Sequence, residues 1–194
     1  MLKNIDEVLG FYADWPGIHG IVGDPEFCRS EGGSAIDTNV AEELGLPKAY
    51  RDFCTMYELK GVQIGFVIFF QRNRASSTDA LIYMNRAEAT LPGLEGYVVI
   101  GFAEGDPILF RRNPSGLCDD TVYVADISSG PDIRIREAAR SFEEFVVLAA
   151  NVHAEALEEN PVQVAEFVNR LKSTFPDLPD AMFGFWRFWY SCSS

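Results

Sequence analysis

Residues 97–152 read YVVIGFAEGDPILFRRNPSGLCDDTVYVADISSGPDIRIREAARSFEEFVVLAANV, and the order of apolar runs and turns in this stretch decides the fold class. Three β-prone runs follow one another: Tyr97–Ala103, Pro107–Arg112 and Thr121–Ile127. Glu104-Gly105-Asp106 punctuates the first pair and Asn113-Pro114-Ser115-Gly116 the second. Short strands joined by such turn residues form hairpins. A fourth alternating run, with Ile133 and Ile135 between Asp132, Arg134 and Arg136, leads to Ser141-Phe-Glu-Glu144. That spacing is a capping box, in which hydroxyl and carboxylate satisfy the first amide groups of a helix. A meander that delivers its chain into a capped helix specifies an α+β fold, with a mainly antiparallel sheet of about five to six strands flanked by helices.

The remaining segments extend this pattern. Ile5, Val8 and Leu9 predict a short helix ending near Gly10, and residues 16–36, rich in Gly, Pro, Ser and Asp, read as a long irregular loop. Asp37-Thr38 caps a helix carrying Val40, Ala41 and Leu44. Gly45-Leu46-Pro47 breaks it and starts another, with Pro47 at the first helical position. Tyr50, Phe53, Cys54 and Tyr57 form the apolar stripe of that second helix. Val62–Phe70 is read as a central strand and Ala80–Met84 as its partner. After the Ser141 helix, which is expected to run to about Glu158, Asn160-Pro161 opens a helix with Val164, Phe167, Val168 and Leu171. The end of the chain carries Phe183, Phe185, Trp186, Phe188, Trp189 and Tyr190, read as a docked helix in preference to an exposed patch. The chain thus divides into an N-terminal helix and loop (1–36), a core (37–158) and an aromatic helical extension (159–194).

With 194 residues, 47% of them hydrophobic, the chain can bury a core without staples. Cys28, Cys54, Cys118 and Cys192 are far apart, and reduced thiols in a cytoplasmic protein are the expectation, with Cys54 a buried thiol. No apolar run is long enough for a membrane span. The 29 acidic residues against 16 basic ones give a net charge of −13. Such a charge should repel nucleic acid and steer basic partners inward, or it serves solubility alone, since composition does not show whether the acids cluster.

Chemistry-bearing motifs are sparse. Only His19 and His153 are present, and neither has a local nucleophile or metal partner. His153 falls on an amphipathic helix face, where a structural role suffices. Glu31-Gly32-Gly33-Ser34 lacks the lysine of a phosphate-binding loop. Glu104, Asp106, Asp119 and Asp120 sit on meander turns and could gather at one end, to hold a cation or act as acid and base. Turns favour Asp for backbone hydrogen bonding in any case. No catalytic residue, metal ligand or cofactor is assigned.

Two segments resemble the SUKH superfamily, which includes fungal cell-wall-synthesis regulators and bacterial immunity proteins. Glu42-Glu-Leu-Gly-Leu-Pro-Lys-Ala-Tyr-Arg-Asp-Phe53 is similar to the family's N-terminal helix, and Val98–Ala103, Gly105-Asp106, Thr121–Asp126 and Ser141-Phe-Glu-Glu-Phe145 are similar to its strands, turn and helix in order. The glycine-rich turn usual before Gly-Asp is reduced here to Ala103-Glu104, and both ends of the chain lie outside the pattern. The resemblance implies a non-catalytic protein-binding domain, commonly an immunity protein that holds a cognate polymorphic toxin inactive by stoichiometric occlusion. A nuclease toxin, being basic, would suit the acidic chain. A regulatory scaffold in cell-envelope or intracellular signalling is the alternative, and a small enzyme using the turn carboxylates a third. Trp15, Glu104, Asp106, Asp119 and Asp120 are the expected partner-binding residues, with no direct contact to nucleic acid or membrane.

Overall fold

The computed structural model describes residues 1–14, 27–70, 73–86, 92–127 and 133–193. Trp15 and His19 lie outside them, as does the start of the proposed loop. The fold is α+β. Among the described residues, seven helices surround a six-stranded antiparallel sheet whose strands follow chain order, and a separate two-stranded pair stands beside it.

The meander is as the turns demand. Strands β5 (Tyr97–Ala103), β6 (Asp106–Arg112), β7 (Cys118–Asp126) and β8 (Arg134–Ala139) pair consecutively. Central residues such as Ile100, Ile108, Leu109, Val122 and Val124 are buried. One face of the sheet receives α3 (Lys48–Met56) and α5 (Phe142–Ala156), where Tyr50 packs edge-on against Phe110 at 5.1 Å and Phe142 at 4.7 Å. Helix α5 begins where its capping box places it. Ser141 Oγ accepts from Glu144 N–H at 3.2 Å, and Glu144 returns a carboxylate oxygen to Arg140 N–H at 2.8 Å. The helix ends at Ala156, two residues short of the expected Glu158.

Three sequence expectations are corrected. Val62–Phe70 is not a central strand. It folds as a tight edge hairpin, β3 (Gln63–Ile64) and β4 (Val67–Ile68), reversed at Gly65 with φ +58°. Val62, Ile64, Val67, Phe69 and Phe70 are buried all the same, and a continuous apolar run does not distinguish a central strand from a covered edge. Ala80–Met84 is not a strand but the end of helix α4 (Ser77–Met84). Ser76 Oγ accepts from Asp79 N–H at 3.1 Å, so the missed signal was the Ser-x-x-Asp start at residues 76–79. The N-terminal helix α1 (Ile5–Asp14) runs through Gly10 and continues one turn further. Smaller shifts accompany these. Pro47 caps α3 from outside its first turn, and Cys28–Arg29 (β1) pairs with Tyr57–Glu58 (β2) inside the segments read as loop and helix end.

Because β4 is two residues long, much of β5 lacks a neighbouring strand there. Asn85 substitutes: its amide accepts from Val99 N–H at 2.8 Å and donates to Val99 O at 2.8 Å. The opposite edge is closed by the aromatic C-terminal segment. Helix α7 (Asp180–Ser193) lies along β8, preceded by α6 (Val164–Thr174). In the β7–β8 register Val122 faces Ala139 and Tyr123 faces Glu137, so Ala138 is the extra residue of a bulge. Its carbonyl is taken by the Trp186 indole N–H at 2.7 Å. Trp186, Trp189 and Tyr190 are buried, so this helix is docked and protects a sheet edge. Ile5, Phe53, Ile108, Phe145, Phe167 and Trp186 belong to one continuous hydrophobic cluster, which draws on all three sequence segments. No helix among the described residues is long and apolar enough to cross a membrane.

Candidate functional site

The four turn carboxylates do not gather. Antiparallel pairing of β5, β6 and β7 puts Glu104 and Asp106 at one end of the sheet and Asp119 and Asp120 at the other. The seven residues of β6 between them span roughly 20 Å. Trp15, outside the described residues, is placed in neither group.

At the Asp119 end the chain is tied to the helices. The register passes from Phe110–Val122 to Arg112–Cys118, leaving Asp119, Asp120 and Thr121 opposite Arg111 alone. Asp119 Oδ2 accepts from Arg111 Nε at 3.2 Å and Nη2 at 3.1 Å, while the guanidinium lies 5.2 Å from the Tyr123 ring centre. Asp120 lines a recess shared with Lys48 and Arg51. Cys118 N–H donates to Gly45 O at 2.8 Å, and Arg112 Nε donates to Leu44 O at 3.3 Å. Gly45 has φ +67°, and a Cβ there would stand 2.1 Å from Gly116 O. Burial pushes the Cys118 thiol up to about 11 and Cys54 up to about 12, so both remain protonated and unreactive at neutral pH. Asp119 is thus compensated by Arg111, while its Oδ1 and Arg51 Nε are buried without a hydrogen-bond partner and Lys48 pairs with Asp52.

At the Glu104 end two turns lie side by side. Ala103 faces Asp106 across a two-residue hairpin in which Glu104 and Gly105 both have positive φ, +50° and +99°. These signs mark a type I′ turn, which suits the twist of the strands but ordinarily takes Asn, Asp or Gly at its first position. Glu104 is the only described non-glycine residue with positive φ. Its N–H donates to Phe66 O at 3.0 Å, which fastens this turn to the β3–β4 turn.

Between these turns and the end of α5 opens a cleft of about 400 Å³. Phe66, Ile68 and Phe102 form one wall, Val152, His153 and Ala156 another, and Gln63 and Glu104 stand among them. Ile68 is 40% exposed. Phe66 is backed by Trp189, the rings stacked 4.4 Å apart and within 4° of parallel. His153 is oriented by Tyr12, whose hydroxyl lies 2.8 Å from Nδ1. Burial holds the Tyr12 phenol far above its ordinary range, so Tyr12 stays neutral. His153 therefore has the structural bond expected of it, yet it also lines a cleft, which its helix position did not announce.

Asp106 reports the electrostatics of this end. Its Oδ1 accepts from Ile127 N–H at 3.0 Å. Desolvation nevertheless raises its pKa, and the charges of Asp126 and Glu104 raise it further. Asp106 lines a separate recess with Asp126, Arg136 and Phe188, so Glu104 is the carboxylate of the cleft itself among the described residues. Among the described residues no three His, Cys, Asp or Glu side chains converge as a metal-binding group.

Comparison of the chain with protein-family models, curated proteins and solved structures finds no match. The likeness to the SUKH superfamily therefore rests on its two sequence segments alone.

Proposed function

We propose that the chain is a protein-binding domain that neutralises a basic toxin by stoichiometric occlusion, as an immunity protein does. The observation that carries this reading is the Glu104 end of the sheet. A partly exposed apolar wall of Phe66, Ile68 and Phe102 is edged by the Glu104 carboxylate, on a chain of net charge −13. An apolar centre with a charged rim is how protein interfaces are composed. Acidic potential around it accelerates encounter with a cationic surface and covers the groove that such a surface uses. The order of the SUKH-like segments supports the same class of protein. Cytoplasmic residence follows from this role, since the toxin must be held inactive in the producing cell.

The test is to read the flanking genes, where a toxin reading frame directly upstream is expected, and to mix its product with the purified chain. A one-to-one complex should form, weaken as salt is added, and abolish toxin activity at equimolar dose. A toxin that remains fully active in excess of the chain overturns the reading.

A further inference from the structure

The cleft at the Glu104 end has a chemistry more specific than a general acidic surface. Five of its side chains, Phe66, Ile68, Phe102, Val152 and Ala156, are apolar, and among the described residues Glu104 is the one acid that lines it. No lysine or arginine lines it among the described residues. A volume of about 400 Å³ is at the small end of the range for binding cavities, enough for a long side chain and too small for a folded segment. Its walls are held in advance. Phe66 is stacked on Trp189, Glu104 N–H is bonded to Phe66 O, and the His153 ring is fixed by Tyr12. Rigid walls reduce the entropy lost on binding.

The lining decides which side chain fits. An anion would meet the Glu104 carboxylate. A purely apolar side chain would strip water from the Glu104 charge without replacing it. Lysine would pair with the carboxylate but offers a compact ammonium with no planar face. Arginine satisfies both parts of the lining, since its guanidinium stacks on aromatic rings and forks onto a carboxylate. We propose that this cleft receives a single arginine side chain of the basic partner, its guanidinium paired with Glu104 and its stem laid on Phe66, Ile68 and Phe102. This deepens the protein-binding reading and rests on it.

N-acetyl-arginine methylamide, its lysine counterpart and its uncharged citrulline counterpart are the probes, titrated into the whole chain and followed by backbone and indole NMR shifts. The arginine probe should move Gly65, Phe102, Gly105 and the Trp189 indole together. Citrulline should bind about tenfold more weakly, as should arginine to Glu104→Gln, the loss expected of one charge-assisted pair. Lysine should fall between them. Equal binding of arginine and citrulline, unchanged affinity in Glu104→Gln with an unchanged melting curve, or shifts confined to other parts of the sheet would each overturn the inference. Failure of the toxin test with arginine binding intact would count against the immunity reading alone.

Discussion

The two ends of the meander carry the same kind of residue and put it to different use. At the Gly45 end, Asp119 is paired with Arg111, Asp120 shares a recess with Lys48 and Arg51, and backbone bonds tie β7 to the α2 (Thr38–Leu44) terminus. At the Gly105 end, Glu104 stands beside an apolar cleft, and a Cβ added at Gly105 would meet nothing within 4 Å. Acidic residues on turns are therefore not equivalent. Those beside local cations complete the structure, and those beside exposed apolar surface are placed to meet something else.

The same substitution at each end tests this difference most severely. Gly45→Ala forces a Cβ to 2.1 Å from a backbone oxygen at φ +67°. Backbone cannot swing aside as a side chain can, so the tie between β7 and α2 must open. A loss of about 3 kcal/mol is expected, from overpacking together with left-handed strain. Gly105→Ala, at φ +99° with open space around it, should lose only about 1 kcal/mol. Urea midpoints measure both. Equal losses would mean that the Gly45 end is not tied as described.

Legibility in the sequence divides along the same line. The meander, the Ser141 cap and the Asp37 cap were readable because local chemistry specifies each, and Asp37 Oδ1 does accept from Asn39 N–H at 2.9 Å and Val40 N–H at 3.3 Å. The edge hairpin within Val62–Phe70 was not, because the run is apolar throughout and Gly65 alone marks its reversal. The cleft was half legible. Glu104 was identifiable as a turn carboxylate, but its neighbours Phe66, Ile68 and His153 arrive from distant elements through the pairing of Val67 with Ala103 and the packing of α5. Nor could spacing alone place Asp106 and Asp119 at opposite ends. That follows from strand pairing, in which an odd number of strand lengths separates the turns.

Glu104 sharpens the comparison by setting stability against binding. Asn is the favoured first residue of a type I′ turn, and glutamate at φ +50° is strained. Glu104→Asn should therefore raise stability by about 0.5–1 kcal/mol while weakening the arginine probe about tenfold. Residues placed for function commonly sit against local preference in this way. Thermal melting and the NMR titration report the two effects separately. A variant that is less stable, or equally good at binding, would remove the argument that glutamate is held there for its charge.

The smallest expected effect separates the two ends by sign. Asp106 has its pKa raised in the folded chain, first by desolvation and then by Asp126 and Glu104. A raised carboxyl pKa means that the folded state holds the proton more tightly than the unfolded state. Its contribution to stability is then present at low pH and lost as pH rises through the folded pKa. Asp106→Asn keeps an Oδ1 acceptor for Ile127 N–H and removes the charge. It should stabilise the chain slightly at pH 7, by under about 0.5 kcal/mol because the side chain is only partly desolvated. The gain should vanish below about pH 4, where the aspartate itself is protonated. Asp119→Asn should do the reverse at pH 7, losing under about 1 kcal/mol with its Arg111 pair. Urea midpoints of both variants at neutral and acid pH decide the matter. A destabilised Asp106→Asn at pH 7 would mean that its carboxylate is compensated, as Asp119 is at the far end, by the Arg136 that shares its recess.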